Sequence, residues 1–439
     1  MSRTINRMMK KLDGWVNVLT GMGLKNRDKL ASADTCARIM DQTRAESLYQ
    51  SDDIAARIVN RIPEEMLREG YQVVVENDPK LGEKAMMKLE EHKIDEKLER
   101  ALKWNRLYGG SAIIIGIGNQ PPEEPLNLKD IKKVDYFTPL DRYRLCAEMP
   151  VEDEVESENF GNPNHYTIQS EVSTSKTVGI KIHYSRMILF KGVELPYNLY
   201  IKNNYWGDSV LSRSYNAIRN YQTAFDNVAS AMQDFAPLVV KIKGLADLIA
   251  SGNHALVTQR LELATLQHSI MNALVLDSEG EDAQRQTTSF EGIPEILTKM
   301  GNRLVASNEL PHTILLGESP QASNATGNST TMSWYDSIKN EQKSVLVPPL
   351  NQTLDVIFSE QGGISGGKIP DYKIVFNPLW QLDLKEQAQI NEIQAKADAM
   401  YIDRNVFTSD EIRDGRSGDE INLRTQVDGK LQQEFEQEE

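Results

Sequence analysis

DSVLSRSYNAIRNYQTAFDNVASAMQDFAPLVVKIKG, residues 208–244, is the stretch on which the fold of this chain turns. Leu211, Ile218, Phe225 and Met232 recur every seven residues, and Ser214, Tyr221, Val228 and Phe235 form a second column three residues further on. This spacing predicts one long helix with a narrow apolar seam, capped by Asp208 and ended by Pro237, before a strand over Leu238–Ile242. Arg213, Asn216, Arg219, Asn220, Asp226, Asn227, Ser230 and Gln233 cover the rest of its circumference. Each large side chain in the seam gains about 1.5–3 kcal/mol on burial, so the helix has to pack against something. A core helix of an ordinary domain is the plain reading. A seam this narrow with so polar a remainder also suits a helix standing beside copies of itself.

Downstream of the strand, helix is expected over Leu245–Met271, then strands at Ala273–Leu276 and Arg285–Phe290 separated by the polar turn DSEGED. A second helix, Pro294–Glu309, follows before Pro311, so two helices bracket one small module. Residues 317–330, GESPQASNATGNST, hold no large apolar side chain and read as an exposed loop. A long helical pattern runs from Thr331 to about Phe358 with Pro348 and Pro349 as a break or kink. Beyond it come a turn at Gly362–Gly367, a strand at Tyr372–Phe376 and an amphipathic helix, Leu384–Met400, on Ile390, Ile393, Ala397 and Met400. Thr408 and Glu411 fit a capping box, and QQEFEQEE is an acidic tail expected to be disordered.

Upstream, residues 1–30 are basic: Arg3, Arg7, Lys10, Lys11, Lys25, Arg27 and Lys29 stand against Asp13 and Asp28. Ile5, Met8, Met9, Leu12, Trp15, Val16 and Leu19 share a helical face, which makes this an amphipathic arm for a partner protein or a membrane surface. Helix is expected from Ser32 to Arg68, with Pro63 at a turn or a new helix start, then a strand at Val73–Val75 and helix from Leu81 to Tyr108. Gly109 and Gly110 turn the chain into SAIIIGIG, whose unbroken apolar run predicts a strand buried on both faces. Glu148–Glu158 is an acidic loop read as a solvated excursion, and Ile180–Phe190 reads as one strand. The fold class is α+β.

The bulk numbers bound the function. With 439 residues the chain can bury two or three cores. Its net charge of −15 argues against gripping nucleic acid by neutralising phosphates, though not against letting nucleic acid slide past. Cys36 and Cys146 make neither a disulfide framework nor a zinc site and read as buried thiols in a reducing cytoplasm. Apolar runs such as Ala112–Ile117 and Met187–Phe190 are too short to cross a bilayer, and no secretory signal is visible, so the sequons at Asn324, Asn328 and Asn351 carry little weight.

Chemistry was sought along the whole chain. Gly116 and Gly118 in IGIGNQPP begin a dinucleotide fingerprint that the two prolines then contradict, and the Gly-rich stretch after Leu316 lacks GK[ST]. One constellation is left. His165-Tyr166-Thr167 and His183-Tyr184-Ser185 are H-x-[ST] triplets of the kind paired by two-histidine phosphoesterases, one His as base and the other as acid. Their closeness in sequence favours His183 as a strand residue beside Arg186. No metal or cofactor is expected.

LYGGSAIIIGI at 107–117, HYSRMILFKG at 183–192, YWGDSVLSRSYNAIRNY at 205–221, PHTILLGESPQASNATG at 311–327 and NPLWQLDLKEQAQI at 377–390 appear in this order, and together they resemble the portal proteins of tailed bacteriophages over most of residues 50–415. The resemblance implies a ring, usually of twelve copies, at one capsid vertex in the virion. The terminase motor drives double-stranded DNA in through it, and the DNA later leaves by the same channel. Assembly would take place in the host cytoplasm, with terminase large subunit, head–tail adaptor, major capsid and scaffolding proteins as partners and no catalytic residue. The implied parts are an N-terminal arm (1–40), a wing (41–205), a first stem helix (206–235), a clip (236–291), a second stem helix (292–310) and a channel loop (311–330). A long kinked helix and wing strand (331–380), a crown (381–425) and an acidic tail (426–439) complete the chain. On this map Leu211, Ile218, Tyr221, Phe225, Val228 and Met232 form the stem seam. Ser319, Gln321, Ser323, Asn324 and Asn328 meet DNA, and Lys241, Lys243, Asp277 and Glu279 lie on the clip toward terminase or adaptor. Two alternatives stay open: a phosphodiesterase built on His165 and His183, and a membrane-peripheral scaffolding protein anchored by residues 1–20.

Overall fold

The structure, a computed structural model, describes residues 39–75, 78–149, 151–152, 154–157, 159–169, 179–233, 238–242, 259, 281–285, 292–317, 324–380 and 384–404. The basic arm, Cys36, Pro237, Ala273–Leu276, the Thr408/Glu411 pair and the acidic tail lie outside these residues. The chain divides into two compact units, Ser214–Ser307 and the remainder. Helices and small antiparallel sheets alternate through it, which is the mixed α+β class expected.

The larger unit opens with α1 (Gln42–Ser51) and α2 (Asp53–Leu67), separated by Asp52, whose carboxylate accepts from the Ala55 amide. Pro63 sits inside α2, neither at a turn nor at a helix start. Then come β1 (Tyr71–Val75), α3 (Pro79–Glu91) and α4 (Ile94–Tyr108). The single helix expected over 81–108 is therefore two, because Lys93 adopts φ 51° and breaks the hydrogen-bond ladder. Next are β2 (Ser111–Gly116), β3 (Tyr136–Asp141), β4 (Leu145–Ala147), β5 (His165–Ile168), β6 (Ile180–His183), β7 (Met187–Phe190) and α5 (Tyr197–Lys202).

β2 is buried at every position and lies between β3 and β7, both antiparallel to it. Its Ala112 and Ile114 join Leu145, Tyr166, Ile182, Met187 and Trp206 in one core, so the β3-β2-β7 and β4-β5-β6 sheets share their apolar faces. Helix α4 packs on β2 and β3. The segment 180–190 is not one strand. A 3-10 turn at Tyr184–Arg186 carries the chain from one sheet to the other. Buried Arg186 fixes that corner by donating to the carbonyls of Glu124 at 2.6 Å and Pro125 at 3.3 Å, contacts that an apolar run does not betray. Cys146 is exposed on β4, since the buried positions of that short strand belong to its neighbours.

After the smaller unit the chain returns through α8 (His312–Leu316), α9 (Asn324–Glu341), a π-helical segment (Gln342–Leu346), α10 (Val347–Phe358), β10 (Tyr372–Phe376) and α11 (Leu384–Asp403), with α7 (Ile293–Ala306) ending the unit before it. Pro348 and Pro349 offer no N–H to the turn before them. A shift to wider i→i+5 pairing just upstream lets the helix pass both prolines without breaking. The expected loop at 311–330 is thus shorter than the sequence suggests. Residues 312–316 are helical, ended by Gly317 at φ 76°, and Asn324 and Asn328 belong to α9. β10 pairs antiparallel with β1, Tyr71 opposite Phe376, joining two distant parts of the chain.

The smaller unit contains most of α6 (Leu211–Gln233), the antiparallel pair β8 (Leu238–Ile242) and β9 (Glu281–Arg285), and α7. β9 covers the end of the expected polar turn and reaches Arg285, and residues 286–290 lie outside the described residues; Leu238 lies opposite Arg285 and Ile242 opposite Glu281. Ser214 Oγ donates to the Ser307 carbonyl at 3.0 Å, so the start of α6 meets the end of α7.

Candidate functional site

Three of the motif segments converge in the larger unit, just before α6. Gly109 has φ 81°, and a Cβ there would stand 2.5 Å from the Gly207 oxygen and the Asp208 carbonyl carbon. One on Gly192, at φ 36°, would stand 2.5 Å from Gly109 itself. Only glycine lets these three backbones touch. Val193 and Asp208 exchange two backbone hydrogen bonds of 2.9 Å across the junction. Buried Arg142 donates to the Gly207 carbonyl at 2.9 Å, and Asn203 Nδ2 reaches the same oxygen at 2.6 Å.

The helix cap differs from the expected one. Asp208 is buried and accepts from the Met40 amide at 3.1 Å and the Ser209 amide at 2.8 Å. Ser209 Oγ takes the capping role on the Leu211 amide at 3.1 Å, and the Arg106 carbonyl accepts from the Val210 amide at 3.0 Å. The first donors of α6 are thereby satisfied by side chain and by α4. Arg106 and Arg142, which hold this foot, went unnoticed in the sequence. The signal available for Arg106 was Pro63, since a proline inside a helix leaves the carbonyl four residues earlier without its partner.

Along α6 the seam changes character. Leu211 and Ile218 are buried, Tyr221 and Val228 are half-buried, and Phe225 is 45 % exposed, with the Tyr221 ring edge-on to it at 4.8 Å. Ile296 on α7 is also exposed. The side chain of Met232 lies outside the described residues. Of the clip residues, Lys241 falls on β8 opposite Asp282, whereas Lys243, Asp277 and Glu279 lie outside the described residues. Ser319, Gln321 and Ser323 lie outside them too, and Asn324 and Asn328 occupy the first turns of α9.

His165 and His183 do come together. They are directly opposite in the β5–β6 pair, with ring centroids 5.2 Å apart and planes at 81°. One ring nitrogen of each is engaged internally. His165 Nε2 lies 3.0 Å from the Glu123 carbonyl, and His183 Nδ1 lies 2.9 Å from Ser185 Oγ. Thr167 donates its hydroxyl to the Glu148 carboxylate, while Ser185 Oγ accepts from the Leu126 amide at 2.8 Å. Both hydroxyls that would meet a phosphate are engaged, and a carboxylate stands beside one of them. Burial, then the neighbouring His165 and Arg186, hold His183 below the usual histidine range. The pair fastens residues 122–126 to the sheet edge.

Among the described residues no helix is long and apolar enough to span a membrane, and no group of three His, Cys, Asp or Glu is placed to hold a metal.

One unit of mixed helices and small antiparallel sheets, and a second of two helices with a short β pair, are the parts of the described chain. The chain belongs to the phage portal protein family, whose model matches residues 43–400. Among curated relatives it is 31 % identical over 401 residues to a Caulobacter sp. (strain RHG1) protein called anti-CBASS protein Acb1, a match covering 88 % of this chain and 62 % of that protein. A protein of the same name from Sphingomonas paeninsulae is 28 % identical over 417 residues, covering 92 % of this chain. The chain therefore spans only 62 % and 64 % of the length of these two relatives. Among solved structures, a chain from the neck of an empty GTA particle matches with a TM-score of 0.48 at 13 % identity, over 82 % of this chain and 92 % of the other.

Proposed function

We propose that this chain is one subunit of a closed portal ring at a capsid vertex, and that double-stranded DNA enters and leaves the head through the hole in that ring. The observation that carries the reading is the seam of α6, buried at Leu211 and Ile218 yet exposed at Phe225. A helix whose first turns are held by the glycine junction and whose Phe225 is exposed further along supplies a surface for the same helix of a neighbouring copy. On this reading the unit Ser214–Ser307 would supply most of the stem and the clip, residues 311–330 the channel loop, α11 the crown, and residues 41–205 with 331–380 the wing. Twelve copies, terminase and adaptor at the clip, and contact with capsid and scaffolding proteins are part of the same proposal.

The residues proposed to meet DNA are Ser319, Gln321 and Ser323, with Asn324 and Asn328 at the start of α9. All are uncharged. Charge–charge interaction decays over ~8 Å in physiological salt, so neutral contacts and an acidic chain leave the duplex free to slide. Lysines at Asn324 and Asn328 are expected to leave assembly intact and slow packaging in a translocation assay; an unchanged rate would count against a lumenal position.

The role inferred is structural, without catalysis by this chain. The anti-CBASS name belongs to proteins of which this chain spans 62 % and 64 %.

A further inference from the structure

The larger unit carries a second exposed apolar surface, around residues 149–164 and α5. Val155 is 79 % exposed, Tyr197 64 % and Phe160 52 %, and Met149 and Leu199 are exposed as well. They form one surface. Tyr197 Oη would be 4.0 Å from a Cβ on Gly161, Tyr200 donates to Asn162 Oδ1 at 2.7 Å, and Met149 Sδ lies 3.9 Å from Tyr205 Oη.

The loop that presents these side chains has a fixed shape. Val151 bridges Pro163, the Glu152 amide donates to the Asn162 carbonyl at 3.0 Å, and buried Asn159 donates to the Pro163 carbonyl at 3.1 Å and Asn164 Oδ1 at 2.8 Å. A loop braced this way holds Val155 and Phe160 outward at the cost of exposed apolar area. Its rim is acidic. Glu154 and Glu156 are exposed, and residues 148–158 contain no Lys or Arg.

What covers this surface is indicated by charge and by where the described chain begins. Buried Met40 donates its amide to Asp208 Oδ1 at 3.1 Å, and Asp208 pairs with Val193. Lys191, two residues before Val193, donates to Asn162 Oδ1 at 2.6 Å. The chain before Met40 therefore joins the unit three hydrogen-bonded links from Asn162 of the patch. They are also its chemical complement, with Arg3, Arg7, Lys10 and Lys11 beside the apolar face that includes Leu12 and Trp15.

We propose that residues 1–30 dock on this acid-rimmed patch of their own subunit, apolar face over Phe160 and Tyr197 and basic side chains over Glu154 and Glu156. The arm thereby seals a surface that would otherwise expose apolar side chains to water. This inference does not depend on ring formation.

The test uses the full-length protein with p-benzoylphenylalanine replacing Trp15, photolysed as an equal mixture of unlabelled and 15N-labelled chains, with adducts mapped by mass spectrometry. The expected result is same-isotope adducts between the arm and peptides containing residues 149–164 or 197–202, with a yield that falls at least tenfold in Glu154→Lys/Glu156→Lys. Adducts of mixed isotope would assign the surface to a second copy's arm and overturn the same-subunit docking. Adducts in the cleft lined by Tyr49 and Trp104, or a yield indifferent to charge reversal, would overturn the patch. So would an arm that floats the protein with phosphatidylglycerol vesicles while the adducts disappear.

Discussion

Arg106 shows how one side chain connects a local defect to the functional foot. Pro63 has no N–H for the Val59 carbonyl; Arg106 Nε donates to that oxygen at 3.2 Å and Nη2 to the Ile58 carbonyl at 2.8 Å. Burial pushes its guanidinium down while Glu309 and Glu341 oppose the shift, and a group that starts so high keeps its charge. The Arg106 carbonyl meanwhile accepts from Val210, so α2, α4 and the start of α6 share one residue. His183 gives a residue-scale test. Its folded state takes up a proton only at lower pH than the unfolded chain does, since burial depresses it. Its contribution to stability is therefore present above the ordinary histidine value of about 6.5 and is lost as pH falls from there through the folded value. His183→Gln should shrink the drop in Tm between pH 7.5 and pH 5.0 in a thermal scan; an equal drop in both proteins would refute this account of the pair.

At the scale of elements, α6 is decisive. Phe225→Asp should leave circular dichroism and Tm nearly unchanged, because the ring is already half in water. Burying a Phe against a neighbour is worth about 1.5–3 kcal/mol, so the concentration for half-assembly should rise more than tenfold in analytical ultracentrifugation, at about 1.4 kcal/mol per decade. Assembly at the wild-type concentration would remove Phe225 from the interface. The heptad spacing made α6 legible in advance, and so did the unbroken apolar run of β2, because both are periodic patterns of burial. What periodicity could not carry was punctuation by polar groups. Lys93 in a left-handed turn split one expected helix, buried Arg186 bent one expected strand, and Ser209 took the cap expected of Asp208. The helical start of α9 was hidden for the opposite reason, since NATGNST has no apolar stripe to reveal it.

For the whole molecule, the acidic balance of 64 acidic against 49 basic residues and the open seam point the same way. A chain that bound DNA tightly would stall it, and the exposed Phe225 leaves that face of α6 available to a neighbouring copy. Family membership over residues 43–400 supports the ring proposed above, in which both features are useful. Electron micrographs of the purified full-length protein, taken together with its native mass, test that claim most directly. The account predicts annular particles with a central hole wide enough for a duplex and a mass that is a whole multiple of the subunit. A compact monomer at every salt and protein concentration, with no annular particle in any field, would contradict it.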